Sequence, residues 1–374
     1  MEIVHFTEKH KEFRQRLRNF FDKEVIPYIE KWEADKIVPR SVWKKMGEQG
    51  FLCTYLPEKY GGPGGDFLYS VIAAEELART NHYGLFAFLH SDIVVPYIYA
   101  FGSEEIKNRY LPGCITGDII TAIAMTEPDA GSDLAALTAT AVEEGDSVII
   151  NGTKIFISNG LNCDIVIVAA KDPLEKNPYK AISLYIVDDG TPGFQKGLGL
   201  DKMGMHSQDT AEMFFSNCRI PKSNILGKKG DGFRMLMNKL QQERLVCSII
   251  SMACAGTTLE TTLQYCRSSI TPGQSCQFQL AEMATEITIG KIFLNNLIAG
   301  HMAGKDINIE TSMAKYWTSE LAHKVADQCL EIYGLEGSLA SCPLERTWRD
   351  VKVMTIFAGT NQIMRQIIAK NLDL

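Results

Sequence analysis

The sequence has no long apolar run, no paired cysteine motif and no excess of positive charge. No apolar run reaches the roughly 18 residues of a membrane-spanning helix, so we expect no membrane span. The ten cysteines are scattered singly, without metal-ligand spacing, which predicts no metal site and free thiols in a reducing compartment. The net charge of −7 and the lack of a Lys/Arg stripe argue against general nucleic-acid binding.

We also expect no secretory signal, because the first residues are charged and amphipathic and show no apolar core segment or small-residue cleavage site. We expect the cytoplasm of a bacterium, or the mitochondrial matrix if the chain is eukaryotic.

The length predicts several packed domains, because 374 residues exceed what one hydrophobic core usually organises. Residues 1–121 are predicted to be helical. Phe13, Leu17 and Phe20 recur at helical spacing, and Ser41 is expected to cap a helix that runs to Gly50.

In residues 122–228 the helical spacing gives way to short β-rich runs, and this pattern predicts a small β-barrel or sandwich. Short β-rich runs occur at 165–168, 182–187 and 213–215. Another short strand is expected at Ser147–Asn151, followed by a hairpin turn at Asn151-Gly152.

Residues 229–374 return to helical periodicity, with breaks at 271–273, 304–306 and 334–343. Long antiparallel helices separated by short breaks predict a four-helix bundle. The fold class is therefore α+β, mainly α, with three domains.

Two polar segments stand out in the middle domain, Thr126–Asp133 and Lys154–Gly160. Turn amides and hydroxyls beside an aromatic ring are suited to holding a planar polar cofactor. An ordinary turn before a hairpin has the same composition, so the residues alone leave both interpretations open.

These segments resemble paired signatures of the acyl-CoA dehydrogenase family, flavoenzymes that oxidise the Cα–Cβ bond of acyl thioesters. Leu56–Gly62 resembles the family's N-terminal loop. Arg349-Asp350 with Ala358–Ile363 resembles its C-terminal signature. Since four separated motifs occur in the family's order, the resemblance covers essentially the whole chain.

The resemblance implies FAD as the cofactor. Met125 and Thr126 would contact the pyrimidine edge of the flavin, Phe156 would stack on the ring, and Ser158 would lie near N5, where the β-hydride arrives. Thr360 and Gln362 would hold the diphosphate and adenosine.

The resemblance also implies a substrate site. Ser132 would touch the pantetheine-phosphate arm, and Arg244 would help to order the substrate tail. The backbone N–H of Ala358 would bond the thioester carbonyl and stabilise the developing enolate. For each of these residues a simple capping or turn role is the alternative.

The expected catalytic base is Glu243. Many relatives carry a glutamate where this chain has Ala358, whereas the long-chain and isovaleryl subtypes carry the base on a helix, similar to Gln242-Glu243-Arg244 here. Glu243 falls on an apolar helical stripe, and a carboxylate on such a stripe is costly unless it is paired or functional. The stripe comprises Phe233, Leu236, Leu240, Cys247, Ile250 and Cys254. A buried glutamate tied to an arginine is the structural alternative.

Two departures from the family pattern concern the FAD diphosphate. The usual Arg-x-x-Phe-Gly segment is missing near Ile270–Gly273, and Leu335 and Glu336 replace a glycine and an amide in a later turn. Losing an arginine and gaining a carboxylate near a diphosphate should weaken FAD binding.

The leading hypothesis is an FAD-dependent acyl-CoA dehydrogenase. The alternatives are an enzyme that uses an acyl-carrier protein and a non-catalytic acyl-thioester-binding protein with impaired FAD binding. By resemblance, the expected partners are electron-transfer flavoprotein as the acceptor and further copies of the chain in a homotetramer or homodimer.

Overall fold

Three successive groups of secondary structure follow one another along the chain in the computed structural model, which describes residues 4–373. Residues 1–3 and 374, the outer ends of the predicted first and third domains, lie outside the described residues. A helical group comes first, a β-sheet follows, and long helices complete the chain, as the α+β prediction requires.

The first group consists of helices joined by short turns, and its inward faces are those that the helical spacing predicts. Phe13, Leu17 and Phe20 are all buried on the first helix. A π-helical segment, Leu89–Val94, runs directly into the fifth helix. The helices are α1 (Glu8–Glu24), α2 (Ile29–Asp35), α3 (Arg40–Glu48), α4 (Phe67–Arg79), α5 (Val95–Phe101) and α6 (Glu104–Thr116).

The start of α3 differs from the prediction. The N-cap position is occupied by Pro39, and no side chain caps the helix, so Ser41 lies inside α3. Proline is compatible with a helix start because its missing N–H would have no partner in the first turn.

The second group forms one mixed sheet, which makes up the middle domain. Its strands are β1 (Thr121–Ala124), β2 (Thr140–Glu144), β3 (Ser147–Ser158), β4 (Ile165–Lys171), β5 (Ile182–Asp188), β6 (Phe194–Gly199), β7 (Thr210–Pro221) and β8 (Ile225–Leu226). The short helix α7 (Pro178–Ala181) precedes β5. The strand order is β6-β7-β3-β2-β4-β5-β8, and β1 pairs in parallel with β4.

Strand β4 is buried on both faces, which explains its unbroken apolar sequence. Ile165 and Ile167 pack into the core shared with the helices. Val166 and Val168 point the other way, into the core of the sheet itself. Because neighbouring residues of a strand alternate between faces, this strand joins the middle domain to the helical domains.

The predicted hairpin at Asn151-Gly152 is wrong, because β3 runs through both residues to Ser158. The turn lies earlier, at Gly145-Asp146 between β2 and β3. Gly152 instead marks an irregularity in the pairing with β7 and has a φ of 151°. A Cβ there would meet the Cβ of Ala139 at 2.5 Å, so glycine serves close strand approach rather than a turn.

The third group is the predicted bundle of long helices. Helix α8 packs against α9 and α10, and α10 packs against the terminal helix α12. The helices are α8 (Gly232–Ser269), α9 (Gln274–Met302), α10 (Asn308–Ile332), α11 (Glu345–Asp350) and α12 (Asn361–Asn371).

Helix α8 meets the length and composition expected of a membrane span, although its sequence contains no unbroken apolar run of that length. Of its most apolar window, 72% is buried inside the protein. The core helix of a globular protein passes the same test, so this is weak evidence for a span.

Candidate active site

A buried ion pair holds the first signature segment against β3. The Nζ of Lys154 donates to Glu127 at 2.8 Å and to the Met125 carbonyl at 3.0 Å. Glu127 also accepts 2.6 Å hydrogen bonds from the amide and the hydroxyl of Thr138. Burial opposes ionisation of Glu127, but the hydrogen bonds from Lys154 and Thr138 lower its pKa overall. The Lys154–Glu127 ion pair therefore fixes the position of the segment that contains Met125 and Thr126.

Phe156 is presented as an exposed ring on a constrained backbone. It has a φ of 59°, and 63% of its surface is exposed. The amide of Ile155 donates to the Thr126 carbonyl at 3.0 Å, which brings the two signature segments side by side. An aromatic residue in the left-handed region is rare and persists where its surroundings impose it.

This arrangement fits a planar ring system. Phe156 offers an uncovered aromatic face, and Met125, Thr126 and Ser158 are half-buried around the joined segments. Ser132 lies further out, in an exposed turn. Met125, Thr126, Phe156 and Ser158 therefore lie on two segments that a backbone hydrogen bond joins.

Glu243 lies buried on α8, and its hydrogen-bond donor comes from another domain. The hydroxyl of Tyr97 donates to Glu243 Oε1 at 2.7 Å. Burial raises the pKa of Glu243 to about 7, although Tyr97, Arg244 and Lys239 act in the opposite direction. The carboxyl is thus poised between its two protonation states at neutral pH.

Arg244 does not pair with Glu243 through a hydrogen bond. Its NH1 group donates to Ser312 Oγ of α10 at 3.2 Å. Its Nε atom is buried and has no hydrogen-bond partner within residues 4–373. Burial lowers the pKa of Arg244, while the charge of Glu243 opposes this effect.

A second buried lysine organises the loop that contains Ala358. Lys315 Nζ donates to the Gly359 carbonyl at 2.7 Å and to Asn361 Oδ1 at 3.1 Å. Ala358 has a φ of 53°, so its amide direction is set by a constrained turn. Burial lowers the pKa of Lys315 to about 8.

The residues after this loop begin α12. The Thr360 hydroxyl accepts a 3.3 Å hydrogen bond from the Ile363 amide and caps the helix. Gln362 is exposed and lines a surface cleft of about 560 Å³ together with Lys324 and Lys352. A helix N-terminus next to lysines is suited to an anion such as a diphosphate.

The two segments that depart from the family pattern lie at the same end of the bundle. Tyr265, near the end of α8, stacks on Tyr333 with 4.0 Å between the ring centroids. The shortened connection, Ile270–Gly273, follows Tyr265, and exposed Leu335 and Glu336 follow Tyr333. The predicted weakening of FAD binding therefore concerns one local region.

Sequence reasoning missed Tyr97, Lys154 and Lys315. Lys154 is a charged residue on the otherwise apolar inward face of β3, which could have indicated its role. Lys315 gave no such indication, because the buried face of α10 around it also carries serine and threonine side chains. The local sequence around Tyr97 did not indicate its role, because its hydrogen-bond partner Glu243 lies 146 residues away in the chain.

Replacing Lys154 should destabilise the protein strongly. In the Lys154→Met variant, Glu127 would be left as a buried, unpaired charge, which costs about 3–5 kcal/mol of unfolding free energy. Lys324→Met, which breaks the exposed pair with Glu286, should cost less than about 1 kcal/mol. Urea unfolding followed by circular dichroism compares the two variants, and equal losses would contradict the structural role of Lys154.

The similarity to known proteins extends over the whole molecule. The chain matches the family models described as acyl-CoA dehydrogenase N-terminal domain over residues 7–118, middle domain over 122–218 and C-terminal domain over 230–372. It is 41% identical to the long-chain specific acyl-CoA dehydrogenase of Rattus norvegicus mitochondria, over 98% of this chain and 87% of that protein.

Solved structures agree with this assignment. The crystal structure of an acyl-CoA dehydrogenase from Geobacillus kaustophilus matches with a TM-score of 0.96 and 48% identity, over 99% of both chains. A chain from a structure described as the electron transferring flavoprotein of Acidaminococcus fermentans matches with a TM-score of 0.93 and 35% identity, over 99% of both chains. Full-length similarity to named dehydrogenases supports an enzyme rather than a non-catalytic binding protein. The chain belongs to the acyl-CoA dehydrogenase family of FAD-dependent oxidoreductases.

Proposed function

We propose that this enzyme oxidises the Cα–Cβ bond of an acyl-CoA, with Glu243 as the base that removes the α-proton. The observation that carries this proposal is the position of Glu243, a buried carboxyl whose pKa burial raises to about 7. A base with a pKa near the working pH is sufficiently ionised to accept a proton and strong enough to remove one. Ala358 cannot perform this role, because its side chain has no ionisable group.

Proton abstraction breaks the α-C–H bond. The proton passes to the Glu243 carboxylate, and the electron pair forms the enolate of the thioester. The N–H of Ala358 donates to the thioester oxygen and stabilises the negative charge that develops there. Lys315 supports this donor, because it holds the Gly359 carbonyl beside it. Bound FAD supplies the acceptor for the β-hydride.

The FAD would be held by residues on two domains. Phe156 offers its exposed ring to the flavin, while Met125, Thr126 and Ser158 offer groups to its edge. Two residues of the C-terminal domain, Thr360 and Gln362, offer groups at the start of α12 to the diphosphate and adenosine. Lys352 of the adjoining cleft supplies positive charge near this end of α12, whereas the charge of Lys324 is paired with Glu286.

Two residues would bind the rest of the substrate. Arg244 is buried and retains an unpartnered Nε, so it can donate to an additional group in the site. Ser132 is exposed at the edge of the middle domain, where a pantetheine-phosphate arm could reach it. We propose a long or branched acyl chain, because helix-borne bases occur in those subtypes and the rat relative is named for long chains.

Glu243→Gln should abolish turnover while FAD remains bound. The amide is similar in shape to the carboxyl but cannot take the α-proton, so kcat with palmitoyl-CoA should fall by at least about a hundredfold. In the unmodified enzyme, kcat/KM should decline as the pH falls below about 7, because Glu243 becomes protonated. Steady-state assays and the visible absorption of bound flavin measure both effects.

Glu260→Gln is the matched control, since Glu260 lies on the same helix but is exposed. It should retain normal turnover and flavin content. Near-normal turnover in Glu243→Gln would refute the assignment of the base.

We propose electron-transfer flavoprotein as the acceptor that reoxidises the reduced enzyme. The support is the family membership and the similarity to a chain from the Acidaminococcus fermentans structure. Enzyme reduced by palmitoyl-CoA should be reoxidised much faster by added electron-transfer flavoprotein than by air-saturated buffer. Equal rates in a stopped-flow experiment would indicate an oxidase instead.

We propose a homotetramer or homodimer in which α9 contacts another copy of the chain. Phe278, Ile289 and Ile292 lie within one face of this helix and are each more than half exposed. Such a stripe is typical of a protein interface rather than of a solvated surface.

Introducing charge into this stripe should reduce the oligomeric state. The double variant Ile289→Glu/Ile292→Glu should have a lower molar mass by light scattering than the unmodified protein. Leu174→Glu, at an exposed apolar residue of the loop that follows β4, should not. An unchanged mass in the double variant would exclude α9 as the interface.

A further inference from the structure

We propose that Tyr97 is a positioning residue for the catalytic base, an inference that rests on the proposed role of Glu243. Tyr97 belongs to α5 of the N-terminal domain, while Glu243 belongs to α8 of the bundle. Both side chains are buried, and the hydroxyl donates to Glu243 Oε1 at 2.7 Å. The hydrogen bond thus joins the base to a different domain.

A second hydrogen bond fixes the same turn of α8. The side-chain amide of Gln242 donates to the backbone carbonyl of Asp92 at 2.7 Å. Asp92 lies in the π-helical segment that leads directly into α5. Two consecutive residues of α8 are therefore held by one continuous segment of the N-terminal domain, which limits both the rotation and the depth of Glu243.

The other groups that face Glu243 act mainly through charge. Lys239 and Arg244 lie on α8 itself and favour the ionised carboxylate. Lys315 of α10 acts on the neighbouring Cys247 and Arg244 rather than on Glu243 itself. Lys239 is half-buried, with its Nζ 5.5 Å from the ring centroid of Phe101. Tyr97 differs from these cations because it provides a short, directed hydrogen bond to a specific oxygen atom.

Because of this hydrogen bond, the two carboxylate oxygens of Glu243 have different roles. With Oε1 accepting from Tyr97, Oε2 is the atom that takes the α-proton as the α-C–H bond breaks. Tyr97 keeps its own proton, because burial and the adjacent Glu243 raise the pKa of its hydroxyl well above the usual range. Tyr97 therefore orients the base and stabilises its ionised form, but does not exchange a proton with it.

Tyr97→Phe is the direct test. Since a hydroxyl hydrogen bond stabilises the carboxylate more than the neutral acid, its loss should raise the pKa of the base by about one unit. The acid limb of the kcat/KM profile should move up by about one pH unit, so kcat/KM well below pH 7 should fall about tenfold. KM for palmitoyl-CoA should change little.

Tyr110→Phe is the matched control. The Tyr110 hydroxyl donates to Asp188 at 3.0 Å, so this variant also removes a tyrosine–carboxylate bond between two domains. Its pH profile should equal that of the unmodified enzyme. A general loss of rigidity would lower activity in both variants, and any opening of the core would move the acid limb to lower pH, opposite to the shift expected for Tyr97→Phe.

Incorporating 3-fluorotyrosine at position 97 provides a variant that keeps the shape of the side chain. The fluorinated hydroxyl is a stronger donor, so the acid limb should move to lower pH, opposite to the shift in Tyr97→Phe. An unchanged acid limb in both position-97 variants would refute the role of Tyr97. If Glu243→Gln were inactive at the same time, the base assignment would stand and only the Tyr97 proposal would fail. Normal turnover in Glu243→Gln would overturn both.

Discussion

Helix α8 is enclosed by the N-terminal helices on one side and by α9 and α10 on the other, and this enclosure determines the chemistry of the site. A carboxyl surrounded by packed side chains loses its hydration, so the ionised form of Glu243 becomes less favourable. Because stability and basicity depend on the same burial, a change that opens the core would also lower the pKa of the base. The active site is thus a property of how the domains pack.

Two buried lysines perform the same physical task in different domains. Lys154 holds the Met125–Glu127 segment near Phe156, and Lys315 holds the loop of Ala358 and Gly359. In both places an ammonium group satisfies a carbonyl in a segment beside a residue with positive φ. Backbone conformations of this kind would otherwise relax toward more common ones, so a charged donor in a dry environment maintains them.

The β-sheet connects the surface around Phe156 to the helical domains. Strand β4 packs toward the helices through Ile165 and Ile167 and toward the sheet core through Val166 and Val168. The position of the Phe156 surface relative to the bundle therefore depends on a strand without functional residues of its own. Glycine at position 152 allows the close approach of Ala139 within this sheet.

Much of the fold could be predicted from periodicity. The spacing of Phe13, Leu17 and Phe20 predicted a buried helix face, and the breaks near residues 271 and 304 separated the long helices. The Asn151-Gly152 pair was misinterpreted because glycine permits both a tight turn and close strand contact, and local sequence does not distinguish them. Ser41 was misplaced because proline can also begin a helix.

The sequence by itself determined which segments are helices and strands, the family resemblance and the presence of a carboxyl on the apolar stripe of α8. Only the tertiary structure decided what surrounds that carboxyl. Tyr97 and Glu243 are separated by 146 residues, and their hydrogen bond exists because two domains pack against each other. Periodicity reflects interactions between residues that are close in the chain, whereas basicity and orientation depend on neighbours that only folding brings together.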